Sequence, residues 1–242
     1  MKSSISAVRK QPSNNTFGAE AGDINAVTGC SGSTITPKCL ANLYSFSGAS
    51  GTQTTGLMGI AGFLEQYPSK SDLSSFLDSH AVFSNTAETY TCTTVNSGSC
   101  PSSPSDPGDE ANLDVQYARA ITAKIPNTFY STGGEGPWLG SGTDTNEPYL
   151  EFLDYLLNLS DANLPNTLSI SYGDDEDTVP LSYADNVCNL FSQLGARGVS
   201  VLVASGDSGV GDACTTTSFS TNFPASCPWV TTVGGTTGNS PE

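Results

Sequence analysis

Glu110 and Asp114 stand four residues apart in "EANLDVQYARAITA" (110–123). Ala111, Val115 and Ala118 recur there at helical spacing, so the stretch is predicted to be a helix, with both carboxylates projecting from one face. Two carboxylates held close together resist double ionisation; their titrations couple and one pKa rises. A carboxylate raised in this way can act as a general base in acid. An imidazole, with an ordinary pKa of about 6.5, is mostly protonated there. A third acid, Asp207, lies in "ASGDSGVGD" (204–212). A carboxylic acid kept neutral can donate a hydrogen bond to a developing oxyanion, again a device for low pH. E-x-x-x-D is also an ordinary pattern of solvated helix faces, so spacing alone does not assign the role.

The same loop holds Gly-Asp-Ser-Gly, the string around the nucleophile of chymotrypsin-like proteases. Such a serine needs a histidine base and two β-barrels. The chain has one histidine, His80, at the end of a predicted helix, where a structural or surface role is expected. There is no G-x-S-x-G elbow either. A Ser-His-Asp site centred on Ser208 is therefore not supported.

The elements that must position these acids alternate in type. "GLMGIAGF" (56–63) reads as a buried strand, and "SDLSSFLDSH" (71–80) as a helix that begins on a serine cap. "GSCPSSPSDPGD" (98–109) is a loop. "EPYLEFLDYLLNL" (147–159) is an amphipathic helix, "TLSISYG" (167–173) a strand, and "LSYADNVCNLFSQLGARG" (181–198) a helix ending at Gly198. "VSVLVAS" (199–205) and "WVTTVGG" (229–235) read as further strands. This alternation predicts an α/β fold with a parallel sheet covered by helices on both faces. Active groups in such folds sit beyond the carboxyl ends of strands, and Asp207 lies two residues past "VSVLVAS".

Composition narrows the class. With 24 acidic against 8 basic residues the formal charge is -16, which excludes a binder of nucleic-acid backbones, since that needs a basic face. The excess of acids suits a protein working in acid, where protonation relieves self-repulsion, and equally suits a soluble secreted surface. Seven cysteines without C-x-x-C spacing imply disulfides and an oxidising compartment. Cys30 with Cys39, and Cys92 with Cys100, are close enough to close short loops; Cys188, Cys214 and Cys227 leave one without a partner in the chain as given. The sequons at Asn14 and Asn158 fit secretion. Residues 1–11 show no apolar leader, which suggests an incomplete N-terminus, and no run approaches the length of a membrane span. Residues 1–38 are polar and read as an extended arm.

Four blocks in order, "DEANLDVQYA", "LSISYGDDEDT", "LGARGVSVLVASGDSGVGD" and "FPASCPWVTTVGGT", together resemble the sedolisin family of serine-carboxyl peptidases, its fungal tripeptidyl peptidases among them. The resemblance covers roughly residues 36 to 238. It implies a subtilisin-like α/β fold, secretion, and hydrolysis of peptides or proteins in acid by a monomer, without nucleic-acid or membrane partners. By position, Glu110 matches the family's general base, Asp114 the carboxylate that holds and tunes it, and Asp207 the acid of the oxyanion hole; Ser208 then becomes a loop residue. Asp174, directly after "SYG", matches an aspartate that the tripeptidyl members need, and places Ser171 and Gly173 on the substrate side. The resemblance further implies that Cys188 pairs with Cys227 and that the partner of Cys214 lies outside this chain.

The sequence also departs from the family. The family's nucleophile is the serine of a "GTSAS"-type motif downstream of "VGGT", and no such stretch occurs here. The calcium loop of the full-length family is absent as well, so neither a metal ligand nor a cofactor is expected within these residues. The chain is thus expected to hold a propeptide remnant (1–38) and the N-terminal part of a peptidase domain (39–242), incomplete at the C-terminus. Two functional expectations follow. The chain belongs to an acid-acting peptidase that releases tripeptides, or it is a catalytically inactive fragment that at most binds peptides.

Overall fold

A computed structural model describes residues 30–31, 34–46, 55–84, 86–210 and 219–236. The chain opens with the short strands β1 (Cys30–Ser31) and β2 (Thr34–Ile35), followed by helix α1 (Pro37–Leu43). Then come β3 (Met58–Gly62), α2 (Lys70–His80), β4 (Thr91–Val95), α3 (Asp109–Thr122) and β5 (Asn127–Thr132). The second half runs through α4 (Tyr149–Leu157), β6 (Thr167–Ile170), β7 (Asp174–Asp175), α5 (Leu181–Ala196), β8 (Ser200–Ala204), β9 (Asn222–Phe223) and β10 (Thr231–Val233).

Six strands form one parallel sheet in the order β10-β8-β6-β3-β5-β4. The expected α/β architecture is therefore present. Alternation along each strand divides the interior in two. Ile60 and Phe129 point into a core with Leu73, Leu77, Ala111 and Val115 of α2 and α3. Their neighbours Ala61 and Tyr130 point the other way, into a core with Phe152, Leu153, Leu156, Val187, Phe191 and Leu194 of α4 and α5. Both faces are covered, which is why β3 and β8 carry apolar runs rather than strict alternation.

Several boundaries differ from the sequence expectation. Helix α2 starts on Lys70, and its cap is Ser69, whose hydroxyl accepts from the Asp72 amide at 3.2 Å; Ser71 lies inside the helix. The strand predicted over 167–173 ends at Ile170. Beyond it the chain is turned aside by β9, whose Phe223 carbonyl lies so close that a Cβ on Gly173 would come within 2.4 Å of it. Strands β4 and β5, and helix α1, are additions to the predicted set. Of the segment predicted as an extended arm, the described part is folded: β1 and β2 pair, and α1 lies against α3. Lys38 Nζ donates to the Ser79 carbonyl at 2.9 Å, and Tyr117 Oη donates to that of Ile35 at 2.5 Å.

Among the described residues, disulfides join Cys92 with Cys100 and Cys188 with Cys227, as expected, and Cys39 is disulfide-bonded as well. The side chain of Cys30 and the whole of Cys214 lie outside the described residues. No helix among the described residues is long and apolar enough to cross a membrane.

Candidate active site

Helix α3 places the two carboxyls. Its N-cap, Gly108, has no side chain to satisfy the first amides, and Gln66 reaches over from the loop after β3 to do so. Its Oε1 accepts from the Glu110 amide at 3.0 Å and the Ala111 amide at 3.4 Å. Asn112 ties the same turn to α2, accepting from the Ser69 amide at 2.8 Å and donating to Asp72 Oδ2 at 2.9 Å. The helix start is thus fixed from two sides, and Glu110 turns inward to 4% exposure.

Asp114, one turn on, accepts a 2.8 Å hydrogen bond at Oδ1 from Ser171 Oγ. Its Oδ2 is buried without a donor, as are both oxygens of Glu110. The polar groups that Glu110 faces are Asp114 and Ser171, and neither gives it a well-formed hydrogen bond. Burial pushes the Glu110 carboxyl well up, and the charges of Asp114 and then Asp207 push it further. Burial raises Asp114 as well, against the lowering effect of the Ser171 hydrogen bond and of the neighbouring Glu110 carboxyl. The E-x-x-x-D spacing thus puts Glu110 where the Asp114 charge acts on it.

Asp207 is exposed on the loop after β8, where Gly206, at φ +83°, lets the chain turn away from the sheet. Because its charge acts on Glu110, the end of β8 and the start of α3 face one space. Asp207 also lines an open groove of about 880 Å³ together with Ser205, Phe219, Asn222, Thr232 and Gly235. Ser208 has no imidazole beside it: His80 sits in the last turn of α2, its ring 4.8 Å from that of Phe76.

The remaining expected residues form the edge between these groups. Ser171, Tyr172 and Gly173 follow β6 and leave the sheet ladder; Asp174 then pairs with Phe223 in the antiparallel ribbon of β7 and β9. Both carboxylate oxygens of Asp174 accept from Thr145 Oγ1 at 3.0 Å.

Three nearby residues escaped the sequence reading. Gln66 gives no local signal, because its role as a cap depends on a contact 44 residues away. Tyr172 packs edge-on against Phe63 at 5.3 Å, and its buried hydroxyl, without a well-formed hydrogen bond, lies near the carboxyl pair. Glu147, just before α4, is 2% exposed with a buried, unpartnered Oε2. Among the described residues, no group of three or more acids, histidines or cysteines is arranged to hold a metal ion.

No protein-family model matches the chain. Curated proteins do. Tripeptidyl-peptidase SED4 of Arthroderma otae is 44% identical over 222 residues, covering 86% of this chain and 37% of its own length. Probable tripeptidyl-peptidase SED3 of Trichophyton verrucosum is 40% identical over 231 residues, 90% of this chain and 38% of its own. Tripeptidyl-peptidase SED2 of Arthroderma otae is 40% identical over 226 residues, 87% and 37%. The chain spans little more than a third of the length of these relatives. With this similarity along most of its length, and with the paired carboxyls on α3 beside the ends of β6 and β8, the chain belongs to the sedolisin family.

Proposed function

We propose that these residues carry the proton-handling and oxyanion-binding part of an acid-acting serine-carboxyl peptidase that releases tripeptides from peptide N-termini. The observation that carries this reading is the buried pair Glu110–Asp114, one turn apart on α3 and fastened by Ser171, with the Asp207 loop facing it. In its ionised form, a minority in acid because of its raised pKa, Glu110 is the general base toward a serine hydroxyl, and the same raised pKa makes it a stronger base than an ordinary carboxylate. Asp114, held by Ser171, is the carboxylate that holds and tunes Glu110. Asp207, when neutral, donates a hydrogen bond to the oxygen of the scissile carbonyl as negative charge develops there. Ser171, Gly173 and Asp174 line the side on which the peptide lies.

The nucleophile is not among the 242 residues, which contain no "GTSAS" stretch. An oxyanion hole and a base cannot replace it. In this reading the serine, and the calcium site of the family, belong to the remainder of the full-length protein, which is secreted and acts on peptides or proteins as a monomer.

The test is peptidase activity between pH 3 and 7 on Ala-Ala-Phe-aminomethylcoumarin, with the chain alone and with a full-length protein that contains it. The full-length protein should cleave in acid, and Glu110→Gln, Asp114→Asn and Asp207→Asn should each lower kcat by about 100-fold or more. The chain alone should be inactive. Turnover by the chain alone would show that its nucleophile has been misplaced, and full activity in Asp207→Asn would remove it from the oxyanion hole.

A further inference from the structure

The groove beside Asp207 has two walls, and both refer back to helix α5. One wall is the end of β8 and the loop after it, with Ser205 and Asp207; the other is the turn after β9, with Asn222, Ala225 and Ser226. Strand β8 rests on α5, since Val201 and Val203 are buried in one core with Val187, Phe191 and Leu194. The turn after β9 reaches the same helix covalently, through the disulfide from buried Cys227 to Cys188 in the middle of α5. That bridge spans 39 residues, and the Asp207 loop lies inside the span.

The other bonds printed on this turn by its own backbone are local. Its start is fixed, because Phe223 is fully buried against Tyr149 and Tyr183 and pairs with Asp174. Past Phe223 the Ser226 amide donates to the Asn222 carbonyl at 2.9 Å, and the Cys227 amide to that of Pro224 at 3.0 Å. These bonds fold the turn on itself without fastening it to the body. Thr232 Oγ1 donates to the Ala225 carbonyl, which ties the turn to β10 at the edge of the sheet. Among the described residues, the disulfide is what joins this wall to the helix behind β8.

We propose that the Cys188–Cys227 disulfide is a positioning device for peptide binding. It holds the 222–226 wall at a fixed distance from Asp207 and so sets the width of the groove that receives the peptide. This rests on the peptidase reading above, and it adds what keeps the groove in shape. The second bridge supplies a control: Cys92–Cys100 spans eight residues, stands at β4 on the opposite edge of the sheet, and does not line the groove.

Hydrogen exchange on the parent chain tests this without a variant. The Ser226 and Cys227 amides should be protected to within about tenfold of those in the middle of α5, because wall and helix open together. Weaker protection than that would overturn the proposal. In a full-length protein that contains the chain, Cys188→Ala combined with Cys227→Ala should raise KM for Ala-Ala-Phe-aminomethylcoumarin at pH 4 by about fivefold or more. Its kcat should stay within about twofold, the pattern of lost binding without lost chemistry. Cys92→Ala combined with Cys100→Ala should leave KM where it was. A bridge that only stabilises the fold would lower the melting temperature and the active fraction without moving KM, and that result would overturn the proposal. So would an equal rise in KM on removing Cys92–Cys100. If the Cys188, Cys227 variant does not fold, the exchange result decides. A full-length parent without peptidase activity would overturn the peptidase reading, while exchange would still judge the disulfide's hold on the wall.

Discussion

Ser171 Oγ donates a 2.8 Å hydrogen bond to Asp114 Oδ1, fastening the end of the central strand β6 to the helix that carries Glu110. Through this one contact the sheet sets both the orientation of the Asp114 carboxyl and its readiness to hold a proton. A hydroxyl donor stabilises the ionised form of its acceptor, so Ser171 restrains the upward push of burial on Asp114.

Removing that donor should therefore raise Asp114 further. In Ser171→Ala the carboxyl resonance of Asp114, followed by carbon-13 NMR, should titrate at higher pH than in the parent chain. Stability at neutral pH should fall by about 1 kcal/mol. Ser171→Thr should restore both. An unmoved Asp114 titration in Ser171→Ala would show that the hydrogen bond does not tune the pair.

The pair also sets how stability depends on pH. Glu110, Asp114 and Glu147 all have folded-state pKa values raised above those of an unfolded chain, which lie near 4. Between about pH 4 and the raised values the folded form binds more protons than the unfolded form, so stability falls as pH rises through that window. These groups contribute fully at and below about pH 4. Urea midpoints should thus be higher at pH 4 than at pH 7, and Glu110→Gln should flatten the difference and stabilise the chain at pH 7 by about 2 kcal/mol. A midpoint for Glu110→Gln lower than the parent's at pH 7 would contradict this.

Gln66 caps a helix from a distance. Gln66→Ala leaves the Glu110 and Ala111 amides without their acceptor and should cost about 1 kcal/mol, as loss of a local cap does. Hydrogen exchange localises the effect: amides in the first turn of α3 should exchange faster while those of α4 and α5 keep their protection.

At the other end of α3, Arg119 is 1% exposed and donates to the carbonyls of Ala87, Ile125 and Ala123 at 3.0, 2.6 and 2.5 Å. It ties the end of the helix to the loops beside it. Arg119→Met fits the volume and removes three hydrogen bonds; Ala123 and Ile125 keep bonds from the Ala87 amide and Asn127 Nδ2 while the Ala87 carbonyl loses its donor, a loss of about 2 kcal/mol that thermal unfolding would register. A loss below about 1 kcal/mol would mean that water or a shift of the loop replaces the guanidinium.

The sequence made the carboxyl pair readable because four residues of helix suffice to put Glu110 and Asp114 together. Strands β3 and β8 were readable for a similar reason, as their apolar runs are local. Strand β5, "NTFYST", is buried along its whole length yet half polar, because helices on both faces enclose it regardless of hydropathy. Strand β4 is rich in threonine and lies at the sheet edge, so it too lacks an apolar run. Glu147 was legible only as the first residue of an amphipathic stretch; whether such an acid points outward or inward is decided by tertiary packing. The same holds for Ser171 and Gln66, whose partners lie 57 and 44 residues away.

Ile60 and Ala61 are adjacent in β3 but serve opposite halves of the interior. Substitutions buried under α4 and α5 therefore share few neighbours with those under α2 and α3, and their effects on folding free energy should add. An engineer wishing to harden this scaffold can search the α4–α5 layer as an independent library, holding Tyr172 fixed because it borders the carboxyl pair, and combine the winners afterwards.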